Sequence, residues 1–154
     1  MNIPINLLTY FEQLKIDYIE GQKYCYDPIR KKMLVLTPEE VVRQLIVLYL
    51  MQAKGYPANK IKLEMGLKVN DMARRCDILV YDPQFQPYLL IECKSAKVAI
   101  NDSVFKQIAQ YNMTLRVPYL YVSNGILNFC SIMNYQTASF KFLTAIPNYP
   151  DKNA

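Results

Sequence analysis

Two short stretches decide how this chain reads: Arg74-Arg75-Cys76-Asp77-Ile78-Leu79-Val80-Tyr81 and Leu89-Leu90-Ile91-Glu92-Cys93-Lys94. Each is an apolar run edged by charge, and the proline-containing stretch 82–87 separates them. The pattern predicts two strands joined as a hairpin. Side chains alternate along a strand, so Glu92 and Lys94 share one face while Leu89, Ile91 and Cys93 point the other way, into the core. With Tyr81 opposite Tyr88, counting back sets Asp77 opposite Glu92, with Cβ atoms about 5 Å apart. Two carboxylates and one ammonium then occupy a single patch of sheet.

Adjacent carboxylates repel and raise each other's pKa. A divalent cation removes the conflict. Oxygens of Asp77 and Glu92, with the Cys93 carbonyl and waters, suit Mg²⁺, with Mn²⁺ as a substitute. Such an ion polarises a phosphoryl oxygen and acidifies a bound water. Lys94 is then placed to orient that water or to stabilise developing charge. A Glu-x-Lys tripeptide by itself arises by chance in roughly half of chains this long. The weight therefore rests on its position, at the end of an apolar strand and across from a strand opened by Asp77. The competing reading is a solvated strand end with an ordinary ion pair between Glu92 and Lys94 or an arginine.

The rest of the composition narrows the chemistry. The 154 residues are 52% hydrophobic and 20% charged, which fits one globular domain and excludes disorder. A domain of this size buries roughly 70% of its unfolded surface. The longest apolar run, Leu45 to Met51, is seven residues, far short of a membrane span. No basic and apolar leader opens the chain, so a soluble, cytoplasmic protein is expected, with no membrane partner. There is no histidine, which removes Ser-His-Asp and Cys-His catalysis and every His-ligated metal site. Cys25, Cys76, Cys93 and Cys130 form no C-x-x-C pair and are expected reduced and buried. The net charge of +5 is a mild bias toward a polyanion.

Outward from the central stretches, the chain predicts a short helix near Leu7 to Leu14, then strands Lys23 to Tyr26 and Lys32 to Leu36 around the turn Asp27-Pro28. Thr37-Pro38-Glu39-Glu40 reads as a helix start, with Thr37 as cap, Pro38 in the first turn and two acids at the positive end of the dipole. That helix is expected to reach about Lys54 and stop at Gly55. A strand at Lys60 to Val69 precedes the central pair, and a second helix runs from Asp102-Ser103 to about Leu115. Strands Tyr119 to Ser123 and Ile126 to Met133 flank the turn Asn124-Gly125, and a last strand lies near Phe140 to Leu143. The order predicts an α/β fold: a mixed central sheet flanked by helices, in one domain over 1–146 with a frayed tail over 147–154.

The layout resembles the PD-(D/E)XK nuclease superfamily, with Asp77, Glu92 and Lys94 as its D…E-x-K. More closely it resembles the N-terminal nuclease domain of type I restriction enzyme R subunits. The likeness runs from Asp27-Pro28-Ile29-Arg30-Lys31-Lys32 through Leu36-Thr37-Pro38-Glu39-Glu40, Val42-Arg43-Gln44, Gly55-Tyr56-Pro57 and Glu92-Cys93-Lys94 to Gln107-x-x-x-Tyr111-Asn112 and Ser123-Asn124-Gly125. Cys76 stands where the superfamily name has proline, a position with no catalytic group. No Walker A sequence or helicase region follows, so the expectation is a solitary domain of restriction-endonuclease-like fold. The resemblance implies that Asp77 and Glu92 bind metal, that Lys94 acts at the attacking water, and that an acid on the first helix takes part. Glu40 is the choice for that acid and Glu39 the alternative, since helical geometry leaves both open; either is equally explained as a helix-terminal acid.

Gln107 and Tyr111 lie four apart and share a helix face that Ile108 and Leu115 suggest is packed on the sheet. A Gln there needs a hydrogen-bond partner. The analogy places it beside the active site, holding Lys94, a nucleotide or a phosphate, with a backbone-bonded buried amide as the alternative. Tyr111 belongs with it as a DNA contact. Arg74 and Arg75 are candidate phosphate contacts, or else a solvated turn. Glu64, on the preceding strand, could face the same pocket and is read as a strand-surface residue. Two functions compete: a Mg²⁺-dependent DNA endonuclease domain, acting as a homodimer or with separate motor and specificity subunits, and a catalytically silent module of the same fold that binds DNA or a partner protein. A structural α/β protein with no nucleic-acid role is the third.

Overall fold

In a computed structural model, which describes residues 1–69 and 72–152 (backbone alone at 69 and 72–74), the central strand is β6, Pro87–Cys93. Leu89, Leu90 and Ile91 are all buried, because a strand with helices on both sides has no solvent face. On one side β6 pairs antiparallel with β5, Met72–Tyr81, which pairs in turn with β4, Ile61–Val69. On the other side it runs parallel to β7, Tyr119–Ser123, and β8, Asn128–Asn134, and β9, Ser139–Phe142, close the sheet antiparallel. The order is β4-β5-β6-β7-β8-β9. The parallel β6–β7 step requires a crossover, and helix α2, Asp102–Asn112, supplies it.

Helix α1, Pro38–Gln52, covers one face of this sheet. Thr37 caps it by accepting the Glu40 amide at 3.1 Å, and Pro38 starts it, as expected. Its residues Val42, Leu45, Ile46 and Leu50 pack in one cluster with Ile78, Val80, Leu89, Ile91 and Cys93. On the opposite face Phe105 and Ala109 of α2 pack with Leu79, Leu90, Leu120, Val122 and Phe129. The mixed α/β architecture read from the sequence is the one observed.

The differences are local. The N-terminal helix is a 3-10 turn over Leu7–Gln13. A strand β1, Ile16–Ile19, precedes the two expected ones and makes a separate sheet with β2, Gln22–Asp27, and β3, Lys32–Val35. A bulge between Val80 and Tyr81 pairs Tyr81 with Pro87 in place of Tyr88. The register that matters survives, since Ile78 still faces Ile91. Asn101 caps α2 by accepting the Val104 amide, and the helix gives way to a 3-10 turn at Met113–Leu115. Arg74 and Arg75 lie within β5, paired with Leu67 and Gly66, and do not form a turn. Beyond residue 146, the carbonyls of Pro147 and Asn148 accept from the Tyr56 and Tyr88 hydroxyls at 2.6 and 2.8 Å, and the Tyr149 hydroxyl donates to the Tyr81 carbonyl at 2.9 Å.

Candidate active site

Past Ile78 and Ile91 the ladder of β5 and β6 opens, and the next residues on the two strands are Asp77 and Glu92. Burial first, and then a side-chain hydrogen bond to Asp77 and the Asp77 charge, push the Glu92 carboxyl up to about 8. Lys94 opposes the shift from one side and Glu39 adds to it from the other, so both charges lie within electrostatic reach of Glu92. Asp77 is held from behind: the Cys93 amide donates to its Oδ2 at 2.8 Å. Cys93 contributes through its backbone, because its thiol is turned into the α1-side core, where burial raises its pKa far above the usual value. Lys94 is half-buried and anchored by its own amide, which donates to the Ser123 carbonyl at 2.8 Å.

The two acids of α1 part company. Glu39 is raised above the ordinary carboxylate range by burial and then by the Asp77 charge, with Arg43 and Lys94 pulling it back. It is therefore the helix acid that the fold brings to the Asp77, Glu92 and Lys94 group. Glu40 faces a different set of partners. Its Oε1 accepts from Arg30 Nη2 at 2.8 Å and its Oε2 from Gln44 at 3.4 Å, and it is 7% exposed. Glu40 and Gln44 share a face as their spacing implies, but it is the face toward β2 and β3.

That face holds a charge network with no role in the sequence reading. Asp27, fully buried, accepts from the amides of Ile29 and Arg30 and pairs with the Arg30 guanidinium. Arg30 continues to Glu40 and lies 3.7 Å from Glu64. Glu64 is not a plain strand-surface residue. It sits in β4 with φ of 52°, costly for a residue with a Cβ, at the one step where the β4–β5 ladder skips a pair. There its carboxylate meets Arg43 and Arg75, each at 3.0 Å, and the Arg43 hydrogen bond lowers its pKa. A cleft of about 680 Å³ opens over these groups, lined among others by Arg30, Val35, Glu39, Arg43, Glu64 and Ser95.

Three further expected site residues, Gln107, Tyr111 and Arg75, are exposed. Gln107 is exposed on α2, whose buried face is Phe105, Ala109 and Asn112, so the expected packed Gln face is wrong by about a quarter turn. No hydrogen bond to its side chain occurs among the described residues. Tyr111 is 55% exposed on the same helix. Arg75 is 73% exposed at its side chain and spends one Nη on Glu64. The expected role of Arg74 concerns a side chain outside those described.

The two strand carboxylates suit an Mg²⁺ ion, which commonly takes only one or two protein acids and fills its sphere with water and substrate phosphate. A buried Glu92 carboxyl raised by a neighbouring Asp77 is the donor set such an ion relieves. Among the described residues no cluster of three or more ligand-type side chains is assembled for a metal, so a larger all-protein cage is absent there. No described helix is long and apolar enough to cross a membrane.

Together these features define a mixed α/β domain with two carboxylates and a lysine where two central strands separate, next to a cleft lined by Arg30, Glu39, Arg43 and Glu64. Residues 38–147 match the family described as type I restriction enzyme R protein N terminus, and the chain belongs to that family. A solved fragment of an HsdR subunit of a type I restriction enzyme from Vibrio vulnificus YJ016 is similar in fold, with a TM-score of 0.50 at 19% identity over 73% of this chain. The match takes in 24% of that chain, so this protein spans about a quarter of its length. No curated protein matches.

Proposed function

We propose that this chain is a PD-(D/E)XK-type DNA endonuclease domain that hydrolyses phosphodiester bonds with Mg²⁺ or Mn²⁺. The observation that carries the reading is the placement of the Asp77 and Glu92 carboxylates together at the opened end of β5 and β6, with the Lys94 charge beside them. Asp77, Glu92 and the Cys93 carbonyl would hold the ion, which when bound activates water and neutralises phosphate charge. Lys94 steadies the attacking water or the charge growing on the phosphoryl oxygens. Glu39 takes the place of the helix acid in this scheme, with Glu40 left to the Arg30 network. Arg75 and Tyr111, both exposed, are assigned to the DNA backbone and bases in this reading. DNA in the cytoplasm is the substrate, cut by a homodimer or alongside separate motor and specificity subunits.

The test is incubation with plasmid and linear DNA in Mg²⁺, Mn²⁺ or EDTA, beside Lys94→Ala. Metal-dependent cutting that disappears in the variant supports the enzyme. A second reading, a silent module that binds DNA or a protein, draws on the exposed and unpartnered Gln107 and on the two-acid ligand set. Binding with no cutting in any metal, unchanged in Lys94→Ala, would establish it.

A further inference from the structure

Arg43 stands one turn along α1 from Glu39 and is only 4% exposed. Its Nη1 lies 3.0 Å from Glu64 and 3.6 Å from Glu40, while its Nη2 lies 3.4 Å from Glu39 and 3.6 Å from Oδ1 of Asp77. One guanidinium thus reaches four carboxylates drawn from α1, β4 and β5. Its Nε is buried with no partner among the described residues. Burying such a charge costs several kcal/mol, and an apolar side chain would pack α1 at least as well. Packing therefore does not account for it. Its fork does explain one thing: Nη2 ties the helix acid Glu39 to the strand acid Asp77, while Glu64, on Nη1, fixes the fork from behind.

We propose that Arg43 is a positioning residue, whose planar fork sets the separation of the Glu39 and Asp77 carboxylates at the cation site, with Glu64 as its anchor. The proposal rests on the nuclease reading above. Arg43 touches no substrate in this role. Its geometry matters as well as its charge, because a lysine ammonium cannot span the same four oxygens. A residue present only to neutralise the acids would tolerate any cation of similar reach.

Two charge-conserving variants of the full chain test this, Arg43→Lys and Glu64→Asp. The second shortens the anchor by one methylene at a half-exposed site and keeps the test alive if the first does not fold. Mn²⁺ binding is measured by calorimetry without DNA, next to wild type and Asp77→Asn, with melting temperature as the control for folding. Arg43→Lys is expected to bind Mn²⁺ about 10-fold more weakly and Glu64→Asp about 3-fold, in the range of outer-shell losses. In cleavage, kcat falls by similar factors while KM for DNA stays within about twofold. Wild-type Mn²⁺ affinity in whichever of these variants folds overturns the proposal and leaves the nuclease reading standing. A wild-type protein that binds no Mn²⁺, or binds it equally after Asp77→Asn, overturns both.

Discussion

The backbone amide of Cys93 donates to Oδ2 of Asp77 at 2.8 Å, tying the tip of one central strand to the side chain of the other where their ladder opens. This bond fixes one oxygen of the acid and leaves Oδ1 toward Arg43. Asp77→Asn and Asp77→Ala therefore separate structure from chemistry. Asparagine keeps an acceptor for the amide and is expected to hold stability within about 1 kcal/mol. Alanine strands the Cys93 amide and costs about 1–3 kcal/mol. Both should cut DNA at least about 100-fold more slowly. Urea denaturation beside single-turnover cleavage checks the pair, and an active Asp77→Asn would remove Asp77 from the site.

Glu92 makes the metal-free protein sensitive to alkali. Burial, then the bond and charge of Asp77, lift its carboxyl from 4.5 to about 8 in the fold. Between those values the folded chain holds a proton that the unfolded chain has released. The stabilisation is complete below the unfolded value and fades as pH rises through the folded one. In EDTA, stability should drop between pH 5 and 8.5 by on the order of 1–3 kcal/mol. Glu92→Gln should flatten that slope, and Mg²⁺ should restore wild-type stability at the alkaline end. Equal urea midpoints at both pH values in wild type would contradict a raised Glu92 carboxyl.

The same contrast shows what the amino-acid order could and could not disclose. Apolar runs at 76–81 and 88–94 imposed two adjacent strands, and the period-2 rule then put Asp77 across from Glu92 even though a bulge at Tyr81 spoiled the pairing used to count it. Thr37 and Pro38 marked the start of α1 because capping is local chemistry. The choice between Glu39 and Glu40 was not legible, since each is in the first turn and only the direction of approach of β5 and of the Asp27–Arg30 turn separates them. Arg30 and Arg43 were visible within motifs, but long-range ion pairs leave no periodic trace. Gln107 was misplaced because Ile108 suggested an apolar stripe one position off the true one, set by Phe105 and Ala109.

Gln107 offers a clean test because of that exposure. Its side chain is exposed and makes no hydrogen bond among the described residues, so Gln107→Ala should leave stability within about 0.5 kcal/mol. Any effect on cleavage must then arise from contact with DNA. The expected result is a fall of about tenfold in kcat/KM with an unchanged melting temperature. Full activity would take Gln107 out of the site, and a lowered melting temperature would show a structural role.

The Asp27–Arg30–Glu40 network should behave as a unit. Asp27 is fully buried and Glu40 nearly so, and Arg30 is the cation that reaches both. Arg30→Met removes that cation and leaves two buried acids facing each other across the β2–β3 turn and the start of α1. Breaking a buried pair from one side costs about 3–5 kcal/mol, although Arg43, 3.6 Å from Glu40, still compensates that acid in part. The two backbone amides that Asp27 also accepts should hold the loss near the lower end. Neutralising the acids in the same background, as Asp27→Asn with Glu40→Gln, should then recover about 1–2 kcal/mol, a coupling that independent sites would not show. Urea titrations of the single, double and triple variants decide it. Strict additivity among the three substitutions would mean that these groups, close as they are, do not act on one another.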